Sequence, residues 1–254
     1  MKIGLIGTGI IGSAVMTGFC ESGSRLSILV SPRTREKAER LRDAYPGKVR
    51  IARDNQQVVD ESEWIFLAVL PQQAMDVLRD LRFTPEKKLI SLVPGLDLEE
   101  TVRQVGPLAV CVDVVPLPFA ARRVGPVVLC PPVPEVRELL SLLGTVVEAE
   151  TPEQMAVLRT TTALMSPYYM LLAKVVAWCR EKGVSEEQAR TYLTSYWGAL
   201  GQMAADFPGP LEELAGEMTP GGLNWHALNH LEDTGALAEW QSTLEVILER
   251  VKNM

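Results

Sequence analysis

A glycine motif close to the start of the chain is the sequence feature that most constrains its fold. The apolar run Lys2–Ile6 has the length and composition of a buried strand, and the segment Gly7-Thr8-Gly9-Ile10-Ile11-Gly12 follows it directly. In this pattern the first glycine allows a tight turn, the second lets the backbone approach a pyrophosphate, and the third lets the next helix pack closely on the sheet. The N–H groups at the start of that helix then face an anion. The motif therefore predicts a strand, a turn and a helix that together bind a dinucleotide.

Alternating strands and helices continue from this motif through the first part of the chain. Strands are predicted at Leu26–Val30, Trp64–Val69, Lys88–Val93 and Ala109–Val114, and helices at Ile10–Glu21, at Thr34–Ala44 and from Pro71 onward. Such alternation is typical of a parallel, doubly wound α/β sheet of the Rossmann type. From Thr151 the pattern is helical only, with one long helix over Pro152–Lys182 and a second over Ser185–Asp206. We therefore predict a dinucleotide-binding domain over residues 1–150 and an all-helical domain over residues 151–254.

The end of the second strand indicates which nicotinamide cofactor the site prefers. NAD sites place an Asp or Glu there to bind the ribose hydroxyls, but this strand runs into a segment without an acid, Leu29-Val30-Ser31-Pro32-Arg33-Thr34. A cation and hydrogen-bond donors for a 2′-phosphate are instead supplied by Ser31, Arg33 and Thr34, with Arg35 and Lys37 behind them. The same residues are also compatible with a solvated helix start. We predict NADPH as the cofactor, with NAD less favoured.

The composition excludes several classes of function. The chain of 254 residues carries 25 Lys and Arg against 32 Asp and Glu, so its net charge of −7 argues against a nucleic-acid partner. Only residues 160–179 are apolar enough to suggest a membrane span, and the polar residues among them favour a helix buried in a protein interface instead. Four dispersed cysteines and two histidines predict reduced thiols and no metal site. We expect a cytoplasmic protein that binds a small molecule rather than a membrane.

Several segments resemble the pyrroline-5-carboxylate reductase family, and they follow the family's order along nearly the whole chain. Phe66–Gln72 is similar to the family's LAVKPQ, Leu89–Gly95 to its ISIAAG, and Thr162–Tyr169 to parts of its TALSGSGPAY. Thr219–Leu228 resembles the SPGGTT turn and the helix after it. The resemblance implies an enzyme of proline biosynthesis that reduces a cyclic imine carboxylate with NAD(P)H. It also implies a homodimer whose subunits intertwine through their helical domains.

The resemblance assigns roles to two groups of residues. The nicotinamide would be lined by backbone near Ala68, Val69, Leu70, Pro71, Pro94 and Gly95. The substrate would lie between the first domain and the partner's helices, and its predicted contacts are Ser166, Gly221, Gly222, Leu223 and Asn224. Ser166 directly precedes a proline and could instead be an ordinary turn residue.

Departures from the family pattern all fall at the substrate end. Leu70 replaces the family's lysine, and Val115–Phe119 replaces its MPNTP segment, without the Asn and Thr. The loop that corresponds to SGSGPAY is shorter here. Leu223 and Asn224 replace two threonines, the second of which is the family's partner for the substrate nitrogen. We interpret this pattern as a hydride donor that is kept and an acceptor pocket that is changed.

Three side chains are candidates for the hydrogen bond or proton that hydride transfer needs. Asn224 could hold the substrate nitrogen or a carbonyl oxygen, or it could cap the helix that follows Gly222. His226 could donate a proton near neutral pH or be structural, and with His230 one turn further on it lacks a third metal ligand nearby. Lys174 is the only charge within residues 160–179, and in the related β-hydroxyacid dehydrogenases a lysine on the corresponding helix protonates the product oxygen. The ordinary alternative is a lysine whose amine reaches solvent.

These observations leave three functions open. The first is an NADPH-dependent imine reductase of the pyrroline-5-carboxylate reductase type. The second is a β-hydroxyacid-dehydrogenase-like reductase of a small keto acid that uses Lys174 as its acid. The third is a catalytically silent NADP-binding sensor or partner protein, which would bind NADPH without turnover. Fold alone does not decide among them, because function depends on the site.

Overall fold

An eight-stranded sheet forms the framework of the N-terminal part of the computed structural model, which describes residues 1–253. Its strands are β1 (Lys2–Ile6), β2 (Ser27–Val30), β3 (Val49–Ile51), β4 (Trp64–Leu67), β5 (Lys88–Ser91), β6 (Val110–Pro116), β7 (Pro126–Cys130) and β8 (Thr145–Glu148). The strand order is β3-β2-β1-β4-β5-β6-β7-β8. Neighbours from β3 to β6 are parallel, whereas β7 is antiparallel to β6 and parallel to β8. The predicted Rossmann-type α/β class is confirmed.

Helices connect these strands and continue beyond the last strand. The helices of the α/β part are α1 (Ile10–Glu21), α2 (Arg35–Ala44), α3 (Asn55–Glu61), α4 (Pro71–Arg79), α5 (Leu98–Val105) and α6 (Pro134–Leu140). The later helices are α7 (Pro152–Thr161), α8 (Met165–Glu181), α9 (Glu186–Asp206), α10 (Leu211–Gly216), α11 (Leu223–Asp233) and α12 (Ala236–Lys252). Short 3-10 helices lie at Pro118–Arg122 and Thr162–Leu164.

The central strands of the sheet are buried on both faces, as parallel strands with helical crossovers require. On β4, Phe66 belongs to one hydrophobic cluster and packs edge to face on Phe19 of α1, with ring centroids 5.5 Å apart. Its neighbours Ile65 and Leu67 belong to a second cluster, which includes Leu78 of α4. Because consecutive side chains of a strand point to opposite faces, both faces of β4 are covered. The continuous apolar run in the sequence follows from this double burial.

One predicted helix is wrong. Residues 152–182 do not form a single helix: α7 ends at Thr161, a 3-10 turn covers Thr162–Leu164, and α8 begins at Met165. Three consecutive threonines, residues 160–162, are β-branched and disfavour a continuing α-helix. Pro167 then lies in the first turn of α8, where a proline is tolerated.

The next helix follows its sequence signals closely. The Ser185 hydroxyl accepts from the Gln188 N–H at 3.2 Å, and the Gln188 side chain accepts from the Ser185 N–H at 3.2 Å. These two hydrogen bonds form the capping box that the sequence predicts at the start of α9.

Internal contacts divide the chain into two units. The first comprises residues 1–159 with the described residues from Val251 onward, and the second comprises residues 160–250. Within the second unit the only buried residues are Thr160, Ala189 and Leu193. In the part of the chain that the structure describes, no helix is long and apolar enough to cross a membrane.

Helix α1 packs closely on the 3-10 helix after β6, and this packing depends on a glycine. A Cβ atom added at Gly18 would lie 2.2 Å from the backbone oxygen of Ala120 and 2.8 Å from Leu143. We expect the Gly18→Ala variant to lose about 1–3 kcal/mol of unfolding free energy, because the backbone must move to admit the methyl group. Chemical denaturation followed by circular dichroism measures this loss.

Gly201 provides the matched control, since it lies in the interior of α9 with nothing within 4 Å of an added Cβ. Gly201→Ala should therefore be neutral or stabilise by about 0.5–1 kcal/mol. Equal stability of the Gly18→Ala variant and the wild-type protein would contradict the packing of α1 described above.

Candidate functional site

A cleft of about 670 Å³ lies at the carboxyl ends of β1, β2 and β4. The strand order reverses between β1 and β4, and ligands of doubly wound sheets bind in the crevice at this point. The lining residues come from the glycine loop, the β2–α2 loop, the start of α3, the β4–α4 segment and the end of β5: Ile6, Gly7, Thr8, Gly9, Ile10, Ile11, Gly12, Ser31, Arg33, Thr34, Lys37, Asn55, Ala68, Val69, Leu70, Pro71, Gln73, Val77, Leu92 and Pro94.

The glycine loop forms one wall of the cleft. Gly7 has a φ of +101°, and a Cβ atom at this position would lie 2.4 Å from the carbonyl oxygen of Ala68. A Cβ atom at Gly12 would lie 2.6 Å from the carbonyl oxygen of Gly7. At Gly9, by contrast, the nearest atom would be 3.9 Å away, so the space beside this residue is open. Two glycines therefore allow the loop to form, and the third leaves room for a ligand against the backbone.

The start of α1 provides hydrogen-bond donors for that ligand. Gly9 is the N-cap of α1 and has no side chain, so no side-chain cap satisfies the first N–H groups of the helix. Thr8 is among the residues that line the cleft, the residue is 2% exposed, and its buried Oγ1 has no hydrogen-bond partner among the described residues. Buried hydroxyl groups are normally paired. Free helix N–H groups and an unpaired hydroxyl together fit a phosphate group at this position.

The Ser31 side chain forms a hydrogen bond with the backbone of the glycine loop. Its side chain is 2% exposed, and its Oγ accepts a hydrogen bond from the Gly7 N–H at 3.0 Å. The sequence pattern led us to expect Ser31 as a donor to a 2′-phosphate. The structure places Ser31 in the lining of the cleft, where its Oγ accepts from Gly7 and its O–H remains able to donate, so its role toward a cofactor stays a prediction.

One end of the cleft is polar and cationic. Arg33, Thr34 and Lys37 line it from the β2–α2 loop and the first turns of α2, and no Asp or Glu is among the described lining residues. Arg35, in contrast, does not line the cleft, and its Nε donates to Glu39 Oε1 at 2.9 Å. This charge pattern suits the phosphate of NADP better than the free ribose hydroxyls of NAD.

Two further residues at this end of the cleft are not predicted from the sequence. Asn55 begins α3, directly after the N-cap Asp54, whose carboxylate accepts from the Gln57 N–H at 2.7 Å. The Asp-Asn pair is a helix-start signal that could have located α3. Gln73 lies in the first turn of α4, and its Oε1 accepts from Arg33 Nη1 at 3.1 Å. No local signal predicts this contact, because it joins segments that are far apart in the chain.

The other end of the cleft is apolar. Ala68, Val69, Leu70 and Pro71 follow β4, and Leu92 and Pro94 follow β5. Leu70 is 57% exposed, and it occupies the position of the lysine in the resembled family. An apolar surface at this end suits the face of an uncharged ring and excludes water from it.

Gly95 does not line this cleft. It has a φ of +73° in the turn Val93–Leu96, which the Leu96 N–H closes on the Val93 oxygen at 3.4 Å. Pro94 therefore faces the cleft, whereas Gly95 lines a neighbouring cavity of about 430 Å³.

The neighbouring cavity contains an ion pair that joins β6 to α7. Arg159 Nη2 donates to Asp113 Oδ2 at 2.5 Å, and both side chains are largely buried. Burial raises the pKa of the Asp113 carboxyl group, and the Arg159 guanidinium opposes this shift. Burial also raises the pKa of the Cys111 thiol to about 11, so this cysteine is unsuited to nucleophilic chemistry.

The remaining candidates lie on the helical unit or at its start. Ser166 lies in the first turn of α8, directly after the 3-10 turn, so this segment is helical rather than an open loop. Lys174 is exposed on α8, which favours the alternative that its amine contacts solvent rather than a substrate. In the described part of the chain, no group of three or more His, Cys, Asp or Glu residues could hold a metal ion.

The predicted substrate turn precedes α11. Gly221 has a φ of +71° and Gly222 is the helix N-cap, so Asn224 lies inside the first turn rather than at the cap. Leu223 is 89% exposed and Asn224 is also exposed. His226 is exposed and packs against Trp225, with ring centroids 4.9 Å apart.

Sequence comparisons link the chain to reductases. Residues 2–95 match the family described as "NADP oxidoreductase coenzyme F420-dependent". The chain is 26% identical to pyrroline-5-carboxylate reductase of Corynebacterium melassecola, over 99% of this chain and 98% of that protein. It is also 26% identical to pyrroline-5-carboxylate reductase of Methanosarcina acetivorans, over 100% of this chain and 97% of that protein.

Solved structures show the same fold. 1-Pyrroline-5-carboxylate reductase of Streptococcus pyogenes superposes with a TM-score of 0.83 at 21% identity, over 100% of this chain and 99% of that one. Pyrroline carboxylate reductase of Plasmodium falciparum, solved with NADP bound, also has a TM-score of 0.83, at 18% identity and over 100% and 97% of the two chains. A reductive aminase of Aspergillus terreus, in complex with NADPH and ethyl-5-oxohexanoate, is more distant, with a TM-score of 0.56 at 17% identity over 99% and 92%.

Because Gly9 and Gly12 have different surroundings, substitutions at the two positions should affect different properties: ligand binding at Gly9 and stability at Gly12. Gly9→Ala should leave the melting temperature unchanged, because the added Cβ meets no protein atom within 3.4 Å. The same variant should weaken dinucleotide binding about tenfold or more, because the methyl group fills the space beside the backbone. Gly12→Ala should lower stability by about 1–3 kcal/mol, since the loop must shift. Differential scanning fluorimetry and isothermal titration calorimetry measure the two effects. Undiminished binding by a folded Gly9→Ala variant would contradict a phosphate at this loop.

Proposed function

We propose that this chain is a divergent member of the pyrroline-5-carboxylate reductase family and that it is an NADPH-dependent reductase of the C=N bond of a small cyclic imine carboxylate. The observation that carries this proposal is the cleft over the switch point of the sheet, with its glycine loop, its cationic end and its apolar end. The full-length similarity to pyrroline-5-carboxylate reductases supports the reaction type.

The residues of the cleft fit an extended NADPH molecule. The pyrophosphate would lie against Gly9 and the first N–H groups of α1, near the unpaired hydroxyl of Thr8. The 2′-phosphate would lie near Arg33, Thr34 and Lys37. The nicotinamide would then lie at the apolar end, and when bound it supplies the hydride.

The chain's own contribution to the reaction is mainly orientation. The apolar residues Leu70, Leu92 and Pro94 would hold one face of the ring and exclude water from it. An imine nitrogen is protonated readily before reduction, so the protein needs a hydrogen-bond partner for it rather than a strong acid. Asn224 is our candidate for that partner, with Ser166 and the backbone of Gly221, Gly222 and Leu223 as further substrate contacts. His226 and Lys174 remain alternative proton donors.

The helical domain, which we place at residues 151–254, would serve dimerisation and substrate binding. Its helices expose large apolar side chains, among them Tyr169, Trp178, Tyr192, Tyr196 and Met203. A soluble protein rarely leaves so many aromatic groups in water, and a second copy of the chain would cover them. The four free cysteines are consistent with the cytoplasm as its compartment.

The reaction is tested by following NADPH absorbance with pyrroline-5-carboxylate, with other cyclic imines and with small keto acids. We expect turnover with a cyclic imine, faster with NADPH than with NADH, because Arg33 and Lys37 favour the 2′-phosphate. The Lys174→Met variant should retain this activity, because the lysine side chain is exposed on α8.

Two outcomes would contradict the proposal. Turnover of keto acids alone, abolished in Lys174→Met, would indicate a hydroxyacid dehydrogenase. Tight NADPH binding without turnover of any imine or keto acid would indicate a sensor or partner protein.

The dimer is tested by adding charge to the exposed aromatic surface. We expect the wild-type protein to have twice the mass of one chain in size-exclusion chromatography with light scattering. Replacing Trp178 (58% exposed) and Tyr192 (69% exposed) together by Glu should shift it to a monomer, because a charge buried in an interface is strongly unfavourable. Val124→Glu is the control, since Val124 is 54% exposed on the α/β unit and should tolerate the change. A monomeric wild-type protein at micromolar concentration would refute this assignment.

A further inference from the structure

A hydrogen bond crosses the cationic end of the cleft. Arg33 Nη1, in the β2–α2 loop, donates to Gln73 Oε1, in the first turn of α4, at 3.1 Å. These two segments follow β2 and β4, which flank β1 on either side in the sheet. The bond therefore spans the carboxyl end of β1, and both residues line the cleft.

This contact fixes the orientation of an otherwise mobile cation. Arg33 is exposed and has no carboxylate partner among the salt bridges of the described residues, so its guanidinium would otherwise sample several rotamers. Holding a long side chain in place before a ligand arrives removes part of the entropy cost of binding. Gln73 itself is held by the helix, since its N–H donates to the Leu70 oxygen at 2.9 Å.

A glutamine suits this position better than a glutamate does. Its side-chain oxygen accepts from Arg33 without neutralising the positive charge, and its NH₂ group remains able to donate to a phosphate oxygen. A glutamate would accept from Arg33 but repel a phosphate.

We propose that Gln73 is a positioning residue that orients Arg33 toward the 2′-phosphate of NADPH and thereby sets the preference for NADPH over NADH. The inference rests on the proposed function only in that the cleft binds a nicotinamide dinucleotide. It concerns cofactor choice, and it does not depend on which imine is reduced.

The test measures dissociation constants of NADPH, NADH and 2′,5′-ADP by calorimetry on the full chain. Gln73→Met keeps the length of the side chain and removes the acceptor. It should weaken NADPH and 2′,5′-ADP about three- to tenfold and leave NADH unchanged. Gln73→Glu should weaken NADPH more, by about ten- to a hundredfold, through charge repulsion.

Gln72 offers the matched control. It is exposed, adjacent on α4, and does not line the cleft, so Gln72→Met should leave all three constants unchanged. A double-mutant cycle with Arg33→Ala isolates the positioning role. If Gln73 acts through Arg33, most of the effect of Gln73→Met should disappear in the Arg33→Ala background.

Three results would overturn the inference. NADPH binding that is unchanged in Gln73→Met would show that the hydrogen bond has no role in recognition. Tighter NADPH binding in this variant would show that the hydrogen bond between Arg33 and Gln73 obstructs cofactor binding. An undiminished effect in the Arg33→Ala background would show that Gln73 does not act through Arg33. Failure of the proposed function is distinct, since it would appear as NADPH binding by the wild-type protein without turnover of any cyclic imine, and the dissociation constants of the Gln73 variants would still be measured.

Discussion

The close approach of the first β–α turn to the end of β4 is the constraint on which the rest of the site depends. A side chain at Gly7 would meet the Ala68 carbonyl, and one at Gly12 would meet the Gly7 carbonyl, so only glycine admits this packing. Ser31 then holds the turn through the Gly7 N–H. These contacts seat the start of α1 at the point where the strand order reverses. The positions of the α1 N–H groups that could donate to a phosphate therefore follow from backbone packing rather than from any charged side chain.

The same packing gives the cleft two chemically different ends. The cations Arg33 and Lys37 follow β2, and the amide of Gln73 on α4 meets Arg33 across the carboxyl end of β1. Apolar residues gather on the side of β4 and β5, around Leu70 and Pro94. NADPH carries its 2′-phosphate beside the adenine and its uncharged nicotinamide at the other end, so these two ends of the cleft favour one direction of binding. This polarity is a physical reason for the orientation of the cofactor that the proposed reaction requires.

The sequence predicts the fold well where local signals are strong. The predicted strand Lys2–Ile6, the predicted helix Ile10–Glu21 and the predicted capping box of α9 are all present in the structure. They are predictable because glycine turns and capping patterns depend on residues that are close in sequence. The short strand β3 and the start of α3 were not predicted, so Asn55 was missed. Gln73 was missed because its contact with Arg33 depends on how β2 and β4 are arranged. The helix over residues 152–182 was wrong, since three threonines interrupt an otherwise helical pattern.

The most direct test of the central claim follows the hydride itself. The protein would be incubated with NADPH that carries deuterium at C4 of the nicotinamide, together with pyrroline-5-carboxylate or the best cyclic imine of the panel, and the amine product analysed by mass spectrometry. With the deuterium at the 4R or the 4S position in separate reactions, the account predicts a product with one deuterium from only one of the two labelled cofactors. It also predicts a lower initial rate of transfer for the Gly9→Ala variant at NADPH concentrations below the dissociation constant of that variant. A labelled cofactor that binds at the cleft and passes no deuterium to any imine would contradict it.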